Sequence, residues 1–204
     1  FTLELCVTDP TDTGFLSRGK QRLKHAGIWY TPQSGIWQTV WLEAVPQNYL
    51  HSLRITPLLE KCAVHFLLKA DDPAHADITV HKDGIIIAAG ESGTDGEALL
   101  SIPAEQLHLW SPEDPFLYDV TITLAGGDTV ESYFGMRSFG IGTDEKGLPK
   151  LLLNGKPYFQ NGLLDQGYWS DGYYTAPCDD ALIYDISEMK RLGFNMLRKH
   201  IKVE

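Results

Sequence analysis

Cysteine is scarce. Cys6, Cys62 and Cys178 are the three in 204 residues, and they stand far apart. This spacing offers no Cys-x-x-Cys pair and no dense disulfide framework. It points to reduced, partly buried thiols, which tilts the compartment toward the cytoplasm over export without fixing it. No apolar run reaches the about 20 residues of a membrane-spanning helix, so no membrane partner is expected. Cations are few as well: Lys and Arg number 17 against 27 Asp and Glu, for a formal charge of −10. Only 18–24 and 198–202 gather basic residues, and the first reads as a solvated loop. An acidic chain without a basic stripe is not built for nucleic acid. No second His or Cys sits at ligand spacing from His200, so no metal and no cofactor are assigned. There is neither a starting Met nor a signal peptide, and the opening FTLELCVTDP already reads as a strand. The expectation is a piece cut from a longer protein.

What is present is mostly strand-like. Residues 1–7 alternate Leu3, Leu5 and Val7 with polar neighbours. Residues 36–45 (IWQTVWLEAV) carry large apolar groups at both phases, so both faces should be covered. From 49 to 139 the pattern is strand after strand, with candidates at 49–57, 63–70, 77–82, 85–89, 98–102, 117–124 and 129–134. Turn residues such as Lys82-Asp83-Gly84 and Ala125-Gly126-Gly127-Asp128 separate them. Short strands at near-regular spacing suit an immunoglobulin-like β-sandwich held by packing alone. No helix-length periodicity interrupts them.

The pattern changes after the Gly-rich connector 138–150. Asn154-Gly155 between apolar runs is a hairpin signal. Residues 175–193 form the one convincing helix, with Ala181, Leu182, Tyr184, Ile186, Met189 and Leu192 on a largely apolar side. Lys190 and Arg191 suit its last turn, and Gly193 suits the position just past it. Residues 194–201 then read as a strand, which makes a parallel β–α–β unit.

Four stretches together resemble glycoside hydrolase family 2, the family of β-galactosidases, β-glucuronidases and β-mannosidases. SGIWQTVWLE (34–43) is similar to the end of its sugar-binding sandwich. LWSPEDPFLYDV (109–120) resembles the signature of its immunoglobulin-like domain, and FGMRSF (134–139) the exit from that domain. LLNGKPYFQNG followed by YDISEMKRLGFNMLRKH resembles the first hairpin and first β–α–β unit of its barrel. The resemblance implies a mainly β chain in three parts. Residues 1–46 would end a jelly-roll-like sandwich, 47–139 would be the immunoglobulin-like sandwich, and 140–204 would open a TIM barrel. Physically, Pro112 and Pro115 block strand pairing in LWSPEDPFLY, while Trp110, Phe116 and Tyr118 can anchor it, so that motif is a folding device.

The resemblance also implies a retaining glycosidase, in which two carboxylates work about 5–5.5 Å apart. The family carries them on later barrel strands, so no catalytic residue is assigned here and the piece alone should be inactive. Five residues are candidates for substrate contact. Asp165 and Gln166 follow the first barrel strand, where family members often carry Asn-Arg-His. Trp169 is the stacking candidate in the aromatic loop, whose Tyr168, Tyr173 and Tyr174 read as structural. Arg198 matches a family arginine on the second strand, with a buried salt bridge as its plainer reading. His200 lies in the stretch where the family commonly follows that arginine with Ser-His-Tyr-Pro. In a regular strand Arg198, His200 and Lys202 would share a face, and that cationic face would keep a nearby carboxylate ionised.

The expected partner is a glycoside substrate of the parent enzyme. The end segments should be disordered, lean on the sandwich, or be covered by a neighbour, as in a homo-oligomer. The alternative is a non-catalytic carbohydrate-binding or scaffold module, which gives no reason for the β–α–β segment.

Overall fold

Alternation of apolar and polar side chains drives the strands of residues 43–159. The computed structural model describes residues 2–202, and these fall into two units: 43–159, and 2–42 together with 160–202.

In the first unit, β1 (Ser52–Leu58), β2 (Ala63–Lys69), β3 (Asp77–Lys82), β4 (Ile85–Glu91), β5 (Glu97–Ser101), β6 (Tyr118–Thr123) and β7 (Thr129–Phe134) form two antiparallel sheets. Their orders are β1-β2-β5 and β4-β3-β6-β7. Every second residue of β6 is buried (Tyr118, Val120, Ile122), as are Ile78 and Val80 of β3 and Val64, Phe66 and Leu68 of β2. These side chains join in one core cluster, which is how a sandwich hides the apolar phase of each strand. Phe134 closes it, with its ring 6.3 Å from Phe66 edge-on and 5.3 Å from Tyr118 nearly parallel. The expected strands lie where they form to within a few residues.

LWSPEDPFLY anchors this sandwich. Tyr118 is fully buried, its hydroxyl donating to the Gln106 carbonyl at 2.6 Å and accepting from the His108 N–H at 2.7 Å. Burial pushes that phenol up, against the lowering effect of the His108 N–H. Ser111 and Asp114 close the proline turn on each other. Phe116 stacks on His108 at 4.2 Å.

A third, small sheet, ordered β10-β9-β8, follows: β8 (Phe139–Thr143), β9 (Pro149–Leu153) and β10 (Lys156–Pro157). Asn154 and Gly155 join β9 to β10 with φ of 52° and 75°, the left-handed pair that a type I′ hairpin requires. Asn154 also accepts from the Ser138 N–H and donates to the Trp110 carbonyl, both at 3.0 Å.

In the other unit, β11 (Gly162–Asp165), α1 (Asp179–Arg191) and β12 (Met196–Lys199) form a β–α–β unit whose strands pair in parallel. The helix ends in a Schellman motif. Gly193, at φ 89°, donates to Lys190, and Phe194 donates back to Met189, both at 3.0 Å. Asn161 and Asn195 tie the turn after α1 to the start of β11 through two 2.9 Å bonds.

Several expectations fail here. Residues 2–7 and 36–45 form no strands; between 2 and 42 only an isolated Gln21–Tyr30 bridge forms. A strand needs a neighbour to satisfy its N–H and C=O groups, and no described strand lies beside these segments. Trp41 is 70% exposed and Leu42 84%, so the two-sided cover expected for 36–45 is missing among the described residues. The helix starts at Asp179 rather than 175, and Leu182, Ile183, Tyr184, Ile186 and Leu192 are exposed, with Ala181 and Met189 half-buried. Of the thiols, expected reduced and partly buried, all three are free; Cys62 is partly buried, whereas Cys6 and Cys178 are exposed.

Candidate functional site

The parallel register of β11 and β12 sets the geometry. It places Leu164 opposite Arg198 and Asp165 opposite Lys199. The Lys199 ammonium therefore meets the Asp165 carboxylate at 2.8 Å, while the Gly167 N–H donates to the other oxygen at 2.8 Å. The His200 N–H bonds the Asp165 carbonyl at 2.9 Å. Burial raises the Asp165 carboxyl, but the Lys199 bond, the Gly167 N–H and the charges of Lys199 and Lys202 outweigh it and hold the group below its usual range. At neutral pH Asp165 is an ionised acceptor with a fixed orientation.

Gln166 is fixed too, its side-chain oxygen accepting from the Tyr30 hydroxyl at 2.9 Å. Asp165, Gln166, Trp169 and Tyr30 line one cavity of about 360 Å³, with Asp185 and Met189 of α1 on its wall. Trp169 pairs with Tyr173 through two backbone bonds of 2.8 and 3.0 Å. Its indole Nε1 is buried and donates to no acceptor among the described residues. A buried donor without a partner costs about 1–3 kcal/mol, so this atom calls for an acceptor supplied from elsewhere.

The remaining aromatic residues pack on one another. Tyr30 stacks on Tyr168 at 3.7 Å and 3°; Tyr168 meets Tyr174 edge-on at 5.4 Å, and Tyr174 meets Trp37 edge-on at 4.6 Å. The Tyr168 hydroxyl donates to the Gly19 carbonyl at 2.8 Å. Burial and the neighbouring Tyr174 and Tyr30 push its ionisation up to about 12, so it stays a neutral donor. The Lys202 ammonium donates to the Gly167 carbonyl at 3.1 Å and lies 4.8 Å from the Tyr174 ring centre.

Arg198 and His200 stand apart from this arrangement. β12 stops at Lys199, and Ile201 is left-handed at φ 65°, so the expected face shared by Arg198, His200 and Lys202 is not carried through. Arg198 is exposed and lines no part of the cavity. His200 has a buried Nδ1 without a partner among the described residues. Burial, then the Arg198 and Lys20 charges, hold the imidazole below its ordinary value, so it is neutral at pH 7. Sequence reasoning passed over Lys199 and Tyr30, while Tyr168 takes the structural part read for it. Strand register would have exposed Lys199, since pairing Gly162 with Met196 fixes Asp165 against it. Nothing local in the sequence announces Tyr30, more than a hundred residues from Gln166. Among the described residues no helix is long and apolar enough to cross a membrane, and no group of three or more His, Cys, Asp or Glu gathers as a metal site.

Residues 48–137 match the family model for glycosyl hydrolases family 2. The β-glucuronidase of Rattus norvegicus is 27% identical over 178 residues, covering 81% of this chain and 26% of that protein. A β-galactosidase of Klebsiella pneumoniae is 30% identical over 207 residues, covering 85% of this chain and 19% of that protein. The chain thus spans about a quarter or less of these relatives' length. Among solved structures, a β-D-glucuronidase of Dictyoglomus thermophilum superposes with a TM-score of 0.64 at 19% identity, over 76% of this chain and 26% of that one. An apo β-glucuronidase of Ruminococcus gnavus gives 0.65 at 17% identity, over 76% and 26%. At such identity the superpositions speak for the shared mainly β fold. The family match falls on the sandwich that carries LWSPEDPFLY, and together with these relatives it supports a fragment similar to glycosyl hydrolases family 2.

Proposed function

We propose that this chain is part of a retaining glycoside hydrolase that cleaves O-glycosidic bonds, and that it supplies scaffold and one wall of the sugar pocket. Residues 43–159 act as the frame. The β11–α1–β12 segment opens a (β/α) barrel, whose active site forms beyond the C-terminal ends of its strands. The carrying observation is the cavity at the C-terminal end of β11, lined by Asp165, Gln166 and Trp169. It combines an ionised acceptor, a side-chain amide held by Tyr30, and an indole N–H without an acceptor. Sugar hydroxyls both donate and accept, so they suit this set, and an apolar sugar face suits the indole ring.

In this reading Asp165 orients a hydroxyl and does not attack the anomeric carbon, because Lys199 already occupies one of its oxygens. The two reacting carboxylates, about 5–5.5 Å apart in a retaining mechanism, come from outside residues 2–202. Arg198 and His200 line no part of this cavity, so they are given no part in it. The names of the relatives support β-glucuronides and β-galactosides as substrates to try first.

The test has two arms. Incubated with 4-nitrophenyl β-D-glucuronide and β-D-galactoside, the 204-residue chain releases no nitrophenol above buffer; turnover would refute the placement of catalysis outside it. Titrated with methyl β-D-galactoside and methyl β-D-glucuronide, it shows a saturable shift of the Trp169 indole N–H signal. No shift at millimolar sugar would remove the pocket assignment.

A further inference from the structure

Five pairs in this chain set Asp or Asn directly before glycine: Asp83-Gly84, Asp95-Gly96, Asn154-Gly155, Asn161-Gly162 and Asp171-Gly172. Such a pair is chemically labile. The side-chain carbonyl carbon and the next backbone nitrogen can close a five-membered ring, and glycine has no side chain to obstruct the approach. Closure needs the two reacting atoms about 3–3.5 Å apart, so the fold decides which pair is poised.

Three of the five are held elsewhere. Asp95 accepts from the Glu97 N–H at 3.0 Å, and the Gly96 N–H donates to the Gly93 carbonyl at 3.0 Å. Asn154 is tied to Ser138 and Trp110, and Asn161 donates to the Gly193 carbonyl at 3.2 Å. Asp83 sits in the left-handed turn after β3, at φ 50°. Among the described residues, only the Asp171 carboxylate accepts from the glycine that follows it, the Gly172 N–H standing 3.0 Å from Oδ1. That nitrogen therefore lies against the oxygen bonded to the carbon it must reach. Asp171 is exposed, so water has access to it. The turn around the pair is closed by the two Trp169–Tyr173 backbone bonds and by the Thr175 N–H, which donates to the Gly172 carbonyl at 2.9 Å. An added Cβ at Gly172 would run into the Thr175 carbonyl oxygen, so this turn takes glycine alone.

We propose that Asp171-Gly172 is a modification site, where aspartate isomerises spontaneously to isoaspartate. In the protonated acid the Gly172 nitrogen bonds to Cγ, the Cγ–OH bond breaks, and the hydroxyl leaves as water with the amide proton. Water then opens the succinimide. Opening at the backbone carbonyl leaves the chain running through Cβ and Cγ, one methylene longer, with its composition unchanged. The extra methylene falls inside the turn that Trp169 and Tyr173 close, and so shifts Trp169 on the wall of the cavity at Asp165. The reaction is a clock on that wall, and it holds whether or not the cavity takes a sugar.

The experiment incubates the 204-residue chain at mildly acidic pH, folded and in urea, and maps its peptides, with isoaspartyl methylation marking the product. In the folded chain residue 171 gains isoaspartate about three- to tenfold faster than 83 or 95, and the lead vanishes in urea, because alignment of the reacting atoms is its source. Asp171→Asn, which loses ammonia in place of water, turns to acid faster than Asn154 or Asn161. Asp171→Glu keeps the charge but would need a six-membered ring, and it gives no product at 171. In the ¹⁵N-labelled chain a second Trp169 indole N–H signal grows in step with the isoaspartate and is absent from Asp171→Glu. Equal rates at 171, 83 and 95 in the folded chain would refute the proposal. A lead that survives in urea would refute its structural cause, and isoaspartate at 171 with the Trp169 signal unmoved would refute the link to the cavity.

Discussion

Asn154 concentrates three local demands in one half-buried residue, and replacing it should be costly. Its backbone is left-handed at φ 52°. Alanine in that region costs about 1–2 kcal/mol through the contact of Cβ with the carbonyl. Its side chain also makes two 3.0 Å bonds, to the Ser138 N–H and the Trp110 carbonyl. Each contributes about 0.5–1.5 kcal/mol. Asn154→Ala should therefore destabilise residues 43–159 by about 2–5 kcal/mol. Asn154→Gly keeps the turn and loses only the bonds, so it should cost about 1–3 kcal/mol. Trp110 is the one tryptophan of 43–159, so ¹⁹F NMR with 5-fluorotryptophan reports this unit alone during urea unfolding. With a slope of about 2 kcal/mol/M, the midpoint for alanine falls by roughly 1–2.5 M, with glycine in between. An alanine midpoint equal to wild type, or a glycine midpoint as low as alanine, would refute the division between backbone strain and lost bonds.

Tyr118→Phe removes a hydroxyl that serves the Gln106 carbonyl and the His108 N–H, and should lower stability by about 1–3 kcal/mol in the same assay; an unchanged midpoint would mean that water replaces it freely. Lys199→Met acts through pH. The Asp165 carboxyl is lowered when folded, so its stabilisation is full above its unfolded value near 4 and is lost as pH falls through the depressed folded value. Without Lys199 the carboxyl titrates at higher pH, which a ¹³C titration of Asp165 would show. The pair is about a third exposed, so the stability lost at pH 7 is only about 0.2–1 kcal/mol. Superimposable titration curves would rule out Lys199 as the residue that holds Asp165 ionised.

Where the sequence served as a guide, the interaction was local. Alternation in 77–82 and 118–123, the Asn154-Gly155 turn, and the Gly193 helix stop all depend on residues a few positions apart, and all form as expected. Residues 36–45 show the limit of the same logic. Their apolar residues fall at both phases, yet no neighbouring strand meets their backbone among the described residues, so the propensity stays unused. The candidate site divides along the same line. Asp165, Gln166 and Trp169 could be picked from their place after a strand, whereas Arg198 and His200 were grouped by an alternation that Ile201 breaks with its left-handed backbone.

The amino-acid order by itself determined the strand phases, the turns, the helix end and the family motifs, because each is settled by sterics and hydrogen bonds within a few residues. Only the tertiary structure decided that Lys199 holds Asp165 and that Tyr30 holds Gln166. Those pairings join residues 34 and 136 positions apart. Their register is fixed by strand pairing and ring packing, which no local window of sequence contains.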